Sequence, residues 1–254
     1  MLKLLDASER LAVQAHPTAE FARENLGSRY GKAECWYVIS TDPGAHVYLG
    51  FREGVTREDW IDCFERQDIP KMLSMMHRIE LSPGDVWYVD GGVPHAIGGN
   101  CLVAELQEPS DLMVVTERIT PGGRVLPERR IHCGLGFERM FDVFDYTTYT
   151  PDRLREKFYR RKICPLNTVI NVIGSDLTDK FRLDECRTDS LLTIGEGEYD
   201  SPIIGAVIEG KGAISDRDGS VSLSAGDSFF IAAGSGELRI DGNLRLLIAA
   251  PAQK

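Results

Sequence analysis

The sequence has few of the residues that usually bind metals, and none of them lies in a familiar short motif. It contains five histidines, at positions 16, 46, 77, 95 and 132, and six cysteines, none of which form a CxxC pair. Scattered cysteines in an acidic chain of this length are typical of reduced thiols in a cytosolic protein. No hydrophobic run approaches the length of a membrane span, and the N-terminus lacks a signal pattern. We therefore expect a cytoplasmic protein that does not associate with membranes.

Positive charge is also in short supply. The chain has 29 Lys and Arg residues against 39 Asp and Glu residues, which gives a net charge of −10 over 254 residues. This balance argues against nucleic acid or an anionic membrane as a partner. An anionic substrate would need a local cluster of Arg or Lys.

The pattern of apolar residues predicts a mainly β protein with two helical segments. Short strands alternate with turn residues up to about residue 130, interrupted by a helical insertion at about 56–76. A helical connector is predicted over 131–164, where apolar residues recur at helical spacing. From 165 to 254 short strands alternate with Gly-rich turns, which is typical of a sandwich or barrel. We expect one β-barrel over 1–130 and a second over 165–254.

A weak internal repeat supports two related barrels. The stretch that begins Gly84-Asp-Val-Trp-Tyr-Val returns as Gly226-Asp-Ser-Phe-Phe-Ile. Counting eleven residues from each glycine, His95 corresponds to Glu237. The second barrel therefore lacks the histidine, and we expect it to be structural.

The stretch from Gly84 to Asn100 predicts a strand, a tight turn and a second strand that presents His95 just after Pro94. Gln14 and His16 lie two apart in an alternating segment, so both should face the same side of a strand. Glu34 begins the next predicted strand. These four residues offer two nitrogen and two oxygen ligands, a set suited to Zn²⁺ or another divalent ion. Spacing alone leaves open the alternative that both histidines are ordinary turn residues beside prolines.

Three blocks of the sequence resemble one known family, in the same order. They are Leu4–Pro17, Gly31–Tyr37 and Gly84–Gly98, and they are similar to type I mannose-6-phosphate isomerases of the cupin superfamily. The resemblance implies two cupin-like (jelly-roll) barrels joined by a short helical segment. It is sharpest over residues 4–111 and continues more loosely to the C-terminus.

The resemblance also implies an activity and a set of site residues. The family members are zinc-dependent isomerases that interconvert mannose 6-phosphate and fructose 6-phosphate. Their metal ligands correspond to Gln14, His16, Glu34 and His95, with one ion per chain. An active-site lysine corresponds to Lys32, and an acidic group discussed in proton transfer corresponds to Glu105, for which a purely structural role at the end of a strand is an equal alternative.

Two departures from the family bear on function. The family arginine that follows the Ser-Asp pair falls on Val115 when counted without gaps, and the nearest candidate, Arg118, would need a bulge or a shift of three residues. The family also has a segment before the first strand. We therefore expect a first barrel without its usual N-terminal part, with exposed strand edges that favour either a homodimer or instability.

Three functions follow as hypotheses. The first is a metal-dependent isomerase acting on a small sugar phosphate. The second is a metal-binding cupin that has lost isomerase activity and binds or senses a sugar, which Val115 favours. The third is an isomerase of a different sugar.

Overall fold

The computed structural model describes residues 1–252, which divide into two units by their contacts. The first unit comprises Met1 and Lys3–Tyr159, and the second comprises Leu2 and the residues from Arg160 onward. The mainly β prediction is confirmed. The residues predicted as a helical connector, 131–164, group with the first unit up to Tyr159.

The strands and helices follow the chain in this order. The strands of the first unit are β1 (Leu2–Ala7), β2 (Gln14–Ala15), β3 (Glu34–Thr41), β4 (His46–Arg52), β5 (Met76–Glu80), β6 (Val86–Val89), β7 (His95–Ile97), β8 (Cys101–Gln107), β9 (Val114–Val115) and β10 (Thr148–Tyr149). The strands that follow are β11 (Thr168–Ile173), β12 (Phe181–Thr188), β13 (Leu192–Ile194), β14 (Ile203–Ser215), β15 (Ser220–Ser224), β16 (Ser228–Ile231) and β17 (Leu238–Pro251). The helices are α1 (Ala19–Asn25), α2 (Arg57–Arg66), α3 (Ile69–Ser74), α4 (Glu128–Ile131) and α5 (Pro151–Phe158), with a 3₁₀ turn at Met140–Val143.

Two sheets form the first unit. One has the strand order β1-β8-β3-β6, and the other has the order β10-β4-β7-β2-β9 with β5 paired to β4. Alternation along the strands sends one set of side chains into the space between the sheets. This inner core includes Trp36, Leu49, Val89 and Ile97, and Phe158 of α5 packs against it.

The outer face of the second sheet is covered by the helices. Ala15, Ala96 and Val114 belong to a second apolar cluster with Trp60 and Phe64 of α2. Helix α2 begins at the predicted residue because Thr56 and Asp59 form a capping box, in which each side chain bonds the backbone of the other residue. The helices therefore lie on one side of this sheet, and its other side is left for the inner core.

The second unit is one seven-stranded sheet in which long strands β14 and β17 pair along most of their length. Its apolar cluster includes Cys186, Leu246 and Ile248. The sheets of both units are not closed into hydrogen-bonded barrels. No helix in the described part of the chain is long and apolar enough to cross a membrane.

The two copies of the predicted repeat form the same turn, with the same hydrogen bond in each. Gly84 and Gly226 both have positive φ, 82° and 92°, which glycine adopts without strain. The Asp85 carboxylate accepts a bond of 2.8 Å from the Ser82 amide, and Asp227 accepts one of 2.8 Å from Ser224. The same turn therefore leads into β6 and β16. Glu237, the counterpart of His95, is exposed and pairs with Arg239.

The helical predictions differ from the structure mainly at their ends. Within the predicted connector, helix α5 ends at Phe158, because Tyr159 takes an extended conformation and bridges Trp87 of β6. The last strand of this unit before the connector, β9, is only two residues long, Val114–Val115.

Candidate metal centre

Three short strands bring the predicted ligands together. Gln14 of β2 is paired directly with His95 of β7, and Leu49 of the inner core is paired with His95 on the other side. Glu34 begins β3 in the facing sheet. His16 lies one residue beyond β2, on the face of Gln14 that alternation predicts. The four side chains therefore meet at one end of the inner core.

The distances define a compact cluster. One candidate ligand atom from each of His16, Glu34 and His95 lies within 4.8 Å of the other two, and all three residues are buried. The His95 Nε2 atom is 3.1 Å from Glu34 Oε1, and His16 Nε2 is 3.5 Å from Glu34 Oε2. The Gln14 amide nitrogen is 3.3 Å from His95 Nε2. Rotating the Gln14 amide by about 180° exchanges its nitrogen and oxygen, so the oxygen then faces His95 Nε2.

The hydrogen bonds behind the two imidazoles indicate which nitrogen faces the cluster. His16 Nδ1 is 2.8 Å from the Leu112 carbonyl, and His95 Nδ1 is 2.9 Å from the Val93 carbonyl. A carbonyl can only accept, so we assign the proton of each neutral ring to Nδ1. Each Nε2 then presents a lone pair towards Glu34, as metal-bound histidines do.

This donor set fits a divalent cation. The neutral tautomer with its proton on Nδ1 leaves His95 Nε2 as a lone-pair donor 3.1 Å from Glu34 Oε1, and two acceptors at this distance favour a cation lying against both. Burial, opposed by the charge of Glu34, lowers the pKa of His16 to about 4. The imidazole is therefore neutral and able to ligate at neutral pH.

Lys32 lies against the same cluster. Its ammonium donates to Glu34 Oε2 at 2.7 Å and to His16 Nε2 at 2.9 Å, and the side chain is only 4% exposed. The Trp36 indole donates to Glu34 Oε1 at 3.2 Å. The cluster thus holds one carboxylate between a cation and an indole donor.

Glu105 is on the same inner face, one residue pair further along β8. Its partner in β3 is Trp36, and the next pair on the same face of the sheet is Gln107 with Glu34. Burial is the main cause of a raised pKa at Glu105, and the charge of Glu34 adds to it, while Lys32 and Lys3 oppose it. A buried carboxylate with a raised pKa is a stronger base than an exposed one.

Sequence reasoning missed Lys3. Its ammonium donates to Gln107 Oε1 at 2.6 Å and lies 3.5 Å from Glu105 Oε1 and 4.0 Å from Asp111 Oδ1. The side chain is 32% exposed, so this cation faces both the solvent and the buried carboxylate of Glu105. A lysine in the otherwise apolar run Leu2–Leu5 was the available signal.

Val115 lies on the wall of the cluster. It pairs with Gln14 across β2 and β9, so the two side chains face the same side of the sheet. It is 3% exposed. The wall beside Gln14 is therefore apolar at this position.

Arg118 is not brought to the cluster. Its guanidinium lies 5.0 Å from the ring centres of Phe64 and Phe137, and both rings belong to the apolar cluster on the outer face of the sheet. Gln14 and His95 point to the opposite face. The Arg118 backbone also donates to Gln67 Oε1 at 2.7 Å, which fixes the chain in this position. The predicted catalytic role of Arg118 gains no support from its contacts.

The other histidines have separate environments. His77 is buried, and its Nε2 lies 2.9 Å from the Tyr149 carbonyl. His46 and His132 are partly exposed. None of the three belongs to the metal-ligand cluster found among the described residues.

Comparisons with known proteins point in one direction. Residues 197–251 match the family described as "Mannose-6-phosphate isomerase, cupin domain". The chain is 27% identical to "Probable mannose-6-phosphate isomerase GmuF" of Bacillus subtilis (strain 168), over 99% of this chain and 74% of that protein. A shorter match, 37% identical over 111 residues, is with "Mannose-6-phosphate isomerase ManA" of the same organism, and covers 44% of this chain and 34% of that protein.

Solved structures show the same fold. The mannose 6-phosphate isomerase from Bacillus subtilis superposes with a TM-score of 0.76 at 23% identity, over 98% of this chain and 74% of that one. A mannose 6-phosphate isomerase bound with zinc and yttrium superposes with a TM-score of 0.74 at 14% identity, over 99% and 79%. These likenesses confirm the predicted resemblance and the cupin-like fold.

Proposed function

We propose that this chain, which is similar to mannose-6-phosphate isomerases over almost its whole length, interconverts mannose 6-phosphate and fructose 6-phosphate. The observation that carries the proposal is the convergence of two imidazole Nε2 atoms on the buried carboxylate of Glu34. Lys32 and Glu105 lie on the same inner face and supply a cation and a proton carrier. The reaction needs both.

We propose that Gln14, His16, Glu34 and His95 hold one Zn²⁺ ion per chain. Two imidazoles, one carboxylate and one amide oxygen give the site a single formal negative charge, so the net charge with a divalent ion is positive. When bound, the ion supplies a Lewis acid for the oxygens on C1 and C2 of the sugar. Trp36 donates to Glu34 and keeps its carboxylate oriented towards the imidazoles.

Glu105 is the proposed proton carrier. Isomerisation removes the proton on C2 of the aldose and delivers a proton to C1, through an enediol or enediolate. A carboxylate whose pKa is raised by burial is a stronger base than an exposed one and retains the proton long enough to return it. The charges of Lys32 and, to a smaller extent, Lys3 oppose this rise of the Glu105 pKa.

The two lysines have different proposed tasks. Lys32 is buried against Glu34, so its ammonium donates to the sugar oxygen that becomes negative in the transition state. Lys3 is one-third exposed and lies between the buried carboxylate of Glu105 and the solvent, so it binds the substrate phosphate as a point charge. In a chain of net charge −10, such a local cation is needed to bind an anionic sugar.

The unbridged cysteines support a proposal about the cellular compartment of the protein. All six cysteines, within the described residues, are unbridged. Free thiols, five of them buried, are typical of proteins in a reducing compartment. We propose the cytoplasm.

A coupled assay tests the proposal. Mannose 6-phosphate is supplied to the purified chain with zinc, and fructose 6-phosphate is measured with and without a chelator. We expect turnover with zinc, loss of turnover with chelator, and loss in His95→Ala. Turnover that survives both chelator and His95→Ala would contradict the proposal.

A second candidate is a metal-binding protein that binds a sugar without isomerising it. The observation that favours it is Val115, which places an apolar side chain beside Gln14, at the position where the family resemblance implies an arginine. Stoichiometric zinc with no turnover on any hexose phosphate would select this candidate. Turnover on an unphosphorylated or differently phosphorylated sugar would instead identify an isomerase of another substrate.

A further inference from the structure

Two glycines pack closely against the backbone of the dipeptide Pro17–Thr18. A β-carbon at Gly31 would lie 2.6 Å from the Pro17 carbonyl oxygen and 2.7 Å from the Thr18 carbonyl carbon. One at Gly91 would lie 2.8 Å from the Thr18 nitrogen and 2.9 Å from the Pro17 carbonyl oxygen. Carbon atoms in ordinary contact are about 3.5–4.0 Å apart. A residue with a side chain therefore does not fit at either position without moving the backbone.

The requirement for glycine at these two positions is one of space. Neither Gly31 nor Gly91 lies in the left-handed region of φ, so an alanine could adopt the backbone conformation of each. The atoms in the way belong to the backbone, so rotation of a side chain cannot relieve the collision. A methyl group at either position would instead push two segments of the chain apart by roughly 0.5–1 Å.

Each of the three segments that meet here leads directly to a candidate metal ligand. His16 immediately precedes the dipeptide. Glu34 follows Gly31 by three residues, and His95 follows Gly91 by four. The distance between the segments at the glycines therefore affects the distances between the three ligand side chains.

Backbone hydrogen bonds join the same three segments. The Lys32 amide donates to the Pro17 carbonyl at 3.1 Å, and the Gly92 amide donates to the His16 carbonyl at 2.6 Å. On the other side of the turn, the Gly92 carbonyl accepts from the Asp145 amide at 2.8 Å. The glycine contacts and these bonds involve only backbone atoms, so they need no contribution from an ion.

We propose that Gly31 and Gly91 are positioning residues that assemble the metal ligands before an ion binds. They allow the backbones of three segments to lie in contact, and this contact sets the spacing of His16, Glu34 and His95. The site is sensitive to this spacing, because metal–ligand distances are fixed to within about 0.2 Å. A displacement of roughly 0.5–1 Å therefore weakens ligation by the displaced side chain. The inference rests on the proposed metal site.

The zinc affinity of the purified chain tests the inference. The dissociation constant is measured by competition with a chromophoric chelator for the wild type, Gly31→Ala and Gly91→Ala. We expect both variants to bind zinc about 10- to 100-fold more weakly, which is the loss usual for residues that orient metal ligands. Urea denaturation in the presence of a chelator establishes that each variant is folded.

A glycine of the second unit provides the matched control. A β-carbon at Gly212 of β14 would collide with the Asp241 carbonyl oxygen, and this glycine also lies outside the left-handed region of φ. Gly212→Ala should therefore cost stability through the same kind of collision but change the zinc dissociation constant by less than about twofold. A β-carbon at Gly195 would have no atom of the described chain within 4 Å, so Gly195→Ala should change neither stability nor zinc affinity.

The possible results separate the inference from the metal site itself. Zinc binding by folded Gly31→Ala and Gly91→Ala that is as tight as in the wild type would overturn the inference. A similar loss of affinity in Gly212→Ala would attribute the effect to general destabilisation and would also overturn it. Absence of zinc binding by the wild type would overturn the proposed metal site, and the inference with it.

Hydrogen exchange of the wild-type chain in the presence of a chelator gives a test that needs no variant. The amides of Lys32 and Gly92 should exchange at least about 1,000-fold more slowly than in an unstructured peptide, because their bonds to Pro17 and His16 are already formed. Exchange at the unstructured rate, with protection only after zinc is added, would show that the ion assembles the segments. That result would overturn the inference.

Discussion

His16 should make the metal-free protein sensitive to acid. The side chain is 1% exposed, and burial lowers the pKa of the imidazole from 6.5 to about 4. In the unfolded chain the imidazole takes up a proton as the pH falls through 6.5, whereas in the folded chain it stays neutral until about pH 4. The contribution of the neutral His16 imidazole to the free energy of unfolding is therefore complete above pH 6.5. It is lost progressively as the pH falls towards 4.

The size of the effect follows from this difference. A pKa that is lowered from 6.5 to about 4 corresponds to about 3 kcal/mol of unfolding free energy over the whole range. About 2 kcal/mol of this is lost between pH 7.5 and pH 5. The loss is large beside a typical total stability of about 5 to 15 kcal/mol.

Urea denaturation in the presence of a chelator measures the loss. The free energy of unfolding is compared at pH 7.5 and pH 5 for the wild type and for His16→Asn, which lacks the titrating ring. The variant should show a drop about 2 kcal/mol smaller than that of the wild type. His46→Asn, which removes a partly exposed histidine, should retain the wild-type drop. An equal drop in the free energy of unfolding in the wild type and in His16→Asn would show that His16 is not the source of the acid sensitivity.

Further predictions concern the site wall and the core. Glu105→Gln should lower kcat about 100-fold or more with little change in KM, measured by steady-state kinetics, because it removes the proton carrier but keeps the shape. A rise in KM alone would instead assign Glu105 to substrate binding. Val115→Arg should place a cation on the face of Gln14 and raise kcat/KM for mannose 6-phosphate about tenfold. An unchanged value would mean that the apolar wall does not limit the reaction. Phe158→Ala should lower the free energy of unfolding by about 3 to 5 kcal/mol in urea denaturation, because this ring is fully buried in the inner core. The exposed Leu166→Ala should change it by less than about 0.5 kcal/mol.

The ligand cluster shows what strand periodicity can predict. Alternation alone places Gln14 and His16 on one face, and the turn after Gly91 predicts the position of His95. Helix α2 was predictable at its first residue because its capping box is local. Each of these features depends on residues close together in the sequence.

The features that could not be predicted depend on distant partners. Lys3 is identified as part of the site only because β1 lies beside β8, which brings its ammonium to Glu105 and Gln107. Arg118 is three residues past Val115, but the chain leaves the sheet after β9, and the guanidinium packs on Phe64 of α2. No pattern within residues 112–120 indicates that change of face.

The most direct test of the central claim is the zinc content of the purified chain after equilibration with zinc and removal of the excess, measured by inductively coupled plasma mass spectrometry. We expect one zinc per wild-type chain. We also expect loss of zinc in His95→Ala and Glu34→Ala, and full retention in His46→Ala, which removes a histidine outside the cluster. Full zinc content in folded His95→Ala and Glu34→Ala would show that these residues are not the zinc ligands.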